Sequence, residues 1–137
     1  MTFVNAVIGG KRNMNQKEFE SLIKQPAKIR YEYFIKKVVD YEEVWGLFDG
    51  DWATAQNDDG SMLIPFFPKK DFAEYCADSE WRNFKPKSID LNDFIDKWLV
   101  GMKKDGVKPS IFPTNQEAVT VEIDPLLRDL NNELENY

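Results

Sequence analysis

The spacing of the hydrophobic residues changes after Tyr41, and this change constrains the fold more than any other feature of the sequence. Up to that point apolar residues recur every three or four positions along 27–41, which predicts an amphipathic helix. Beyond it the chain reads as three short strands, at 44–48, 52–56 and 62–67, separated by turns that contain Asp and Gly. A helix followed by a three-stranded meander predicts an α+β arrangement.

Two shorter helices are predicted on either side of these segments. Asn15 and Glu18 match a variant capping box, which predicts a helix that follows a lead segment over residues 1–14. Pro68 can open a second short helix, whose apolar positions place Cys76 on the buried side. Because the chain has no histidine to activate this thiol, we expect Cys76 to be buried and inert.

The clearest helical pattern lies in the C-terminal half, from Leu91 to Met102, where a cap at Ser88 or Asp90 precedes it. Residues 81–89 before it read as irregular or extended because Pro86 interrupts them. Alternating residues predict a hairpin of two strands at 107–112 and 119–123. A last helix follows, with an Asp124 cap, Pro125 in its first turn and an inner face of Leu127, Leu130 and Leu134.

These segments together predict one α+β domain over residues 15–137. Its sheet is expected to be mostly antiparallel, with about five strands that form the meander and the C-terminal hairpin, packed with about four or five helices. The third strand is apolar on successive residues, which favours a central position, while Pro65 within it favours an edge. The order of the strands therefore stays open.

The absence of histidine excludes several classes of chemistry. Ser-His-Asp and Cys-His catalysis and every His-ligated metal site require it. A single cysteine cannot form an internal disulfide, and the N-terminal residues lack the basic region and the cleavage site of a signal peptide. No stretch is long and apolar enough to cross a membrane. We therefore expect a cytoplasmic protein that binds no cofactor and contacts no membrane.

The net charge of −6 is unevenly distributed along the chain. Residues 38–68 contain seven acidic and no basic side chains, and residues 111–137 contain six acidic and one basic side chain. Residues 24–37 are basic, but they read as the solvated face of a helix, which argues against binding to nucleic acid. We expect the two acidic segments to meet in one face that attracts a basic protein partner.

Four aspartates occupy the turns of the predicted meander: Asp49, Asp51, Asp58 and Asp59. If the two turns lie close together, these carboxylates could hold Mg²⁺ or Ca²⁺, or act as a general acid and base. Asp and Gly are also the residues that tight turns select for their backbone conformation, and the sequence favours this interpretation. The metal alternative depends on whether the turns converge.

Two of the four tryptophans are candidates for a binding surface. Trp52 and Trp81 have charged neighbours in the sequence, and a partly exposed tryptophan among charges is typical of an interface anchor. Packing in the core or at its edge is the alternative for both. Trp45 and Trp98 fall on apolar faces of predicted elements, so we expect them in the core.

Several segments, taken in order, carry a resemblance to a known family. They are RYEYFIKKVVDYEEVWGL, LIPFFPKKDFAEYC, IDLNDFIDKWLVGMKKDG and the hairpin that contains IFP. This set resembles the domain of unknown function 2750 family of small bacterial proteins, over roughly residues 15–135. Because the matching positions are structural, the resemblance implies a shared fold and supplies no catalytic residue.

Two functions from different classes are compatible with these features. A non-enzymatic protein-binding module, such as an immunity-type inhibitor, would use Trp52 or Trp81 inside an acidic rim formed by the four turn aspartates. A carboxylate-based enzyme, or a domain that binds a small ligand or a divalent metal, would need these aspartates to converge on one point. The number of missing catalytic groups favours the binding module.

Overall fold

The chain begins with two helices in the computed structural model, which describes residues 10–77, 81–114 and 119–136. Helix α1 spans Gly10–Ile23 and helix α2 spans Ala27–Tyr41. Helix α1 starts earlier than the capping box predicts, and Asn15 lies inside it. Of the predicted lead segment, residues 1–9 lie outside the described residues and residues 10–14 belong to α1.

The predicted helix over 27–41 is confirmed, but its buried face is rotated. The apolar residues buried on this face are Phe34, Ile35, Val38 and Val39. Tyr41, expected on the inner stripe, is 55% exposed at the end of the helix. Tyr31 is half-buried, and its hydroxyl donates a hydrogen bond of 2.6 Å to Oδ2 of Asp129. Burial, together with this contact, raises the pKa of Tyr31 above its usual value.

The strands of the described residues form two small sheets. They are β1 (Glu43–Phe48), β2 (Ala55–Gln56), β3 (Met62–Phe66), β4 (Lys85–Asp90) and β5 (Lys108–Ile111). Strand β1 pairs antiparallel with β4, and β3 lies between β2, its antiparallel partner, and β5, its parallel partner. A bridge between Trp45 and Phe67 links β1 to the end of β3. The apolar third strand is therefore central, and Pro65 is buried opposite Ser110.

This topology corrects two parts of the predicted sheet. Residues 85–90, expected to be irregular or extended, form β4 and pair with the whole of β1. Pro86 is tolerated because β4 is an edge strand within the described residues, where a missing N–H group does not have to pair. The second strand shrinks to Ala55–Gln56, since Trp52 pairs with Phe48 across a tight turn instead of extending β2.

One continuous helix follows β4, in three segments: α4 (Leu91–Asp93), a π-helical turn (Phe94–Trp98) and α5 (Leu99–Asp105). The predicted helix is confirmed, and of the two possible caps Asp90 is the correct one, because its Oδ2 accepts from the backbone N–H of Asn92 at 3.0 Å. The π-helical turn was not expected. Trp98, the last residue of this turn, is half-buried.

Of the predicted C-terminal hairpin, the first strand is confirmed as β5, but the strand expected at 119–123 is reduced to a single bridge between Ser110 and Thr120, and Ile123 already belongs to the next helix. Residues 115–118 lie outside the described residues. Helix α6 (Ile123–Glu135) then packs against α2 and α5. Its buried residues are Ile123, Leu126 and Leu130. Of the predicted inner face, Leu130 is buried, and Leu127 and Leu134 are half-buried against the core. The helix begins at Ile123, one residue before the predicted Asp124 cap.

The core lies between the helices and the two sheets, and its largest fully buried side chains are phenylalanines. These are Phe34, Phe66, Phe67, Phe94 and Phe112. Cys76, in helix α3 (Lys70–Cys76), is buried as expected, and its thiol donates to the carbonyl of Pro113 at 3.3 Å. The α+β fold class is confirmed. None of the helices in the described residues combines the length and the apolar composition of a membrane span.

Candidate functional site

Trp52 packs against the backbone of Gly46 in the middle of β1. A methyl group at position 46 would lie 2.9 Å from Cζ3 of Trp52, a distance that carbon atoms do not tolerate. A glycine therefore makes room for the indole ring. Trp52, expected as a partly exposed anchor or an edge residue, is half-buried.

Two further aromatic side chains surround Trp52, and we call Phe48, Trp52 and Trp98 the aromatic cluster. The ring centroids of Phe48 and Trp52 are 5.0 Å apart, and those of Trp52 and Trp98 are 4.8 Å apart, both in edge-to-face geometry. Trp98 also contacts the fully buried Phe66, with 5.9 Å between ring centroids. The cluster is thus attached to the core on one side and half-exposed on the other.

A lysine from the neighbouring strand lies on this cluster. Lys87 in β4 faces Gly46 in the register of β1 and β4. Its ammonium group is 4.2 Å from the ring centroid of Phe48 and 5.7 Å from that of Trp52. Both distances are within the range of a cation–π interaction. Sequence reasoning missed Lys87, because the pairing of β1 with β4 was not predicted.

The first pair of aspartates lies in the turn that joins Phe48 to Trp52. The backbone N–H of Asp49 donates to the carbonyl of Asp51 at 2.9 Å, which closes the turn. Oδ1 of Asp51 accepts from the backbone N–H of Trp52 at 3.0 Å. Both side chains are exposed at the rim of the aromatic cluster. Asp49 and Asp51 thus lie in the turn that leads into Trp52.

The second pair, Asp58 and Asp59, lies in the turn between β2 and β3. Oδ1 of Asp59 accepts from the backbone N–H of Ser61 at 2.9 Å. This interaction with Ser61, with a smaller contribution from Lys108, holds the pKa of Asp59 below its usual value. In the part of the chain that the structure describes, no three Asp, Glu or Cys side chains come close enough to hold a metal. Asp51 and Asp59 therefore accept backbone hydrogen bonds within their turns, as the turn interpretation predicts.

Trp81 occupies a different place in the fold. It is half-buried against the core, and its carbonyl accepts from the backbone N–H of Phe84 at 2.9 Å. Residues 78–80, which include the neighbouring Glu80, lie outside the described residues. No ring contact joins Trp81 to the aromatic cluster among the described side chains.

Comparison with known families identifies the family of the chain. The family model described as "Protein of unknown function (DUF2750)" matches residues 31–134, which is most of the chain. The chain belongs to the DUF2750 family. No curated protein and no solved structure shows a significant match to it. The family resemblance that the sequence carried is therefore confirmed, and the aromatic cluster and all four turn aspartates lie inside the matched region.

The two acidic segments of this DUF2750 protein differ in how their charges are compensated. None of the seven carboxylates of residues 38–68 forms an ion pair with another described residue. In the C-terminal segment, Lys103 pairs with Asp124 at 2.7 Å and Lys108 pairs with Glu122 at 3.3 Å. Three carboxylates of the C-terminal segment thus have a basic partner within the described residues, since Arg128 also pairs with Asp129, whereas none of the carboxylates of residues 38–68 does.

Two grooves of the DUF2750 domain lie apart from the aromatic cluster. One, of about 310 Å³, is lined by Tyr41, Trp45 and Lys69, and Lys69 pairs with Glu18 of α1 at 3.0 Å. Burial opposes the charge of Lys69, but the contacts with Glu18 and Tyr33 outweigh it and raise its pKa. The other, of about 370 Å³, contains the two lysine ion pairs of the C-terminal segment named above. Each groove thus contains at least one internal ion pair.

The burial of Arg30 differs most from what the sequence predicts. Arg30 belongs to the basic stretch 24–37, which was expected to be solvated, yet it is only 3% exposed. Its Nε donates to the carbonyl of Phe112 at 3.0 Å and its Nη1 to the carbonyl of Gln25 at 2.8 Å. Arg30 therefore joins α2 to the end of β5. No feature of the local sequence separates it from its exposed basic neighbours.

Proposed function

We infer that this DUF2750 protein is a non-enzymatic binding module that recognises a basic protein through Trp52 and the aspartates of the adjacent turns. The observation that carries this proposal is the lack of ion-pair partners for the carboxylates of residues 38–68 within the described residues. Among the described residues elsewhere in the fold, some exposed carboxylates, such as Asp124, have a lysine partner and others, such as Glu32 and Glu74, have none. Residues 38–68 differ in that they contain seven carboxylates and no basic residue. A surface that keeps its charges uncompensated can offer them to another molecule.

The physical advantage of such a surface is fast and selective encounter. Uncompensated carboxylates create a negative potential that attracts a basic partner over roughly a Debye length, which is about 8 Å at physiological salt. A half-exposed tryptophan beside these carboxylates then supplies apolar contact area once the two proteins meet. Trp52, with Asp49 and Asp51 beside it, has both properties. Trp81 remains a candidate for a second contact.

An immunity-type inhibitor would be one biological form of this role. Such a protein neutralises a toxin by covering it, so it needs a complementary surface and no catalytic groups. The acidic turns are complementary to a basic toxin domain. Localisation in the cytoplasm, where an immunity protein would meet its toxin, is part of this proposal.

The proposal is tested with two charge-reversal variants that change the net charge equally. The protein is used to capture partners from its native host, and one captured basic protein is purified and titrated against each variant by calorimetry. We expect the Asp49→Lys/Asp51→Lys variant to bind it at least about tenfold more weakly than the wild type. The matched Glu32→Lys/Glu74→Lys variant changes two exposed carboxylates outside residues 38–68 and should stay within about threefold.

The two variants separate a local surface from a general effect of charge. If both double variants lowered the affinity for the partner equally, only the net charge would matter, and this result would contradict a site at the turn. An unchanged affinity of the Asp49→Lys/Asp51→Lys variant would contradict it as well. Thermal unfolding of each variant checks that the substitutions leave the fold intact, which is expected because all four side chains are exposed.

A further inference from the structure

We propose that the rings of Phe48 and Trp52 form a recognition site for an arginine side chain of the partner, and that Lys87 occupies this site in the free protein. The inference rests on the proposed binding role and adds the chemical group that is recognised. Its starting point is the position of the Lys87 ammonium, which is 4.2 Å from the Phe48 centroid and 5.7 Å from the Trp52 centroid.

The strand register explains why a cation lies on these rings. Gly46 and Phe48 share one face of β1, because side chains two positions apart point the same way, and Lys87 is directly opposite Gly46. Since Gly46 has no side chain, the indole of Trp52 fills the space above it. The result is two aromatic rings packed edge to face, with the ammonium group of Lys87 over them. Their π-faces carry partial negative charge, which attracts a cation.

The surroundings of the rings favour a cation further. Asp49 and Asp51 form the turn between Phe48 and Trp52, and both are exposed without an ion-pair partner in the described part of the chain. An arginine side chain can contact an aromatic ring and a carboxylate at the same time. Its planar guanidinium stacks on an aromatic face and donates two parallel hydrogen bonds to a carboxylate. A lysine ammonium has no flat face to stack and cannot pair in this bidentate way.

Lys87 uses only one of the two kinds of contact that the site provides, the aromatic rings and not the carboxylates. Its ammonium lies on the rings, but within the described residues it forms no ion pair with a carboxylate. The side chain is exposed, so it can move into solvent when an arginine arrives. Its own contact with the rings then competes with the incoming cation. At an exposed site, a cation–π interaction of this kind changes an equilibrium about two- to fivefold.

The test uses the full-length protein and a small probe, so that no partner is needed. Arginine blocked at both its amino and carboxyl groups is titrated into ¹⁵N-labelled protein, and the shift of the Trp52 indole N–H signal is followed by NMR. Blocked citrulline, which has the same shape without the charge, is the control ligand. The variants are Lys87→Met and Lys85→Met, which remove exposed lysines of the same strand, only the first of which lies on the rings.

We expect blocked arginine to bind Lys87→Met about two- to fivefold more tightly than the wild type, with Lys85→Met unchanged and blocked citrulline without effect. Equal affinity for Lys87→Met and the wild type would overturn the role of Lys87. Equal binding of citrulline and arginine, or no shift of the Trp52 signal in any variant, would overturn the cation site. These outcomes leave the capture experiment unaffected, so the failure of this inference and that of the proposed function are distinguishable.

Discussion

Replacing Arg30 by methionine is expected to lower the free energy of unfolding by about 2–4 kcal/mol. Methionine fills similar space but donates no hydrogen bond, so the carbonyls of Phe112 and Gln25 lose their charged donor in a buried position. Phe112 also has a φ of 48°, a left-handed conformation that is strained for a bulky residue. We expect the bond from Arg30 to help hold this conformation. Equilibrium unfolding in urea measures the effect.

Lys28→Met on the same helix is the matched control. Lys28 is exposed, so its replacement should change the free energy of unfolding by less than about 0.5 kcal/mol. An Arg30→Met variant that is as stable as Lys28→Met would show that Arg30 is not needed between α2 and the end of β5. Arg30→Lys keeps the charge but loses the forked geometry, and should recover only part of the stability.

Replacing Gly46 by alanine is expected to destabilise the protein by about 1–3 kcal/mol and to displace Trp52. The added methyl group would lie 2.9 Å from Cζ3 and 3.1 Å from Cε3 of the indole ring. Because Trp52 also contacts Phe48 and Trp98, its shift disturbs the whole aromatic cluster. The emission maximum of tryptophan should move to longer wavelength in the folded state, and urea unfolding should give the loss of stability.

Gly101→Ala is the control for this substitution. Gly101 lies in helix α5, and a methyl group there would meet nothing within 4 Å. Alanine should therefore stabilise the helix by about 0.5–1 kcal/mol through the lower entropy of the unfolded chain. If Gly46→Ala behaved in the same way and left the fluorescence unchanged, the packing of Trp52 on β1 described above would be incorrect.

Periodicity predicted most of the helices and the order of the elements. The helix from Leu91 and its Asp90 cap follow from local signals that do not depend on the rest of the fold. The pairing of β1 with β4 could not be predicted in this way. Pro86 argues locally against a strand, and only the position of β4 at an edge, which is a property of the assembled sheet, makes it acceptable. The π-helical turn has no local signal either.

The candidate site was predicted in part. Trp52 and the turn aspartates stand out in the sequence because a tryptophan among acidic residues is unusual for a core. Lys87 and Gly46 did not stand out, since their roles arise from the register of two strands that are distant in the chain. The joint acidic face was expected from segment charges alone. Lys103 and Lys108, which lie outside both acidic segments, pair with Asp124 and Glu122, and a count of charges by segment cannot reveal such pairs.

The central claim, that Trp52 and the carboxylates of residues 38–68 attract a basic protein, is tested most directly by the salt dependence of association. The rate constant for binding the purified partner is measured by stopped-flow fluorescence between about 0.05 and 0.5 M salt, a range over which the screening length falls several-fold. We predict that the rate for the wild type falls at least about tenfold, and that the Asp49→Lys/Asp51→Lys variant loses most of this dependence. A rate that does not change with salt, or an equal dependence in both proteins, would contradict the account.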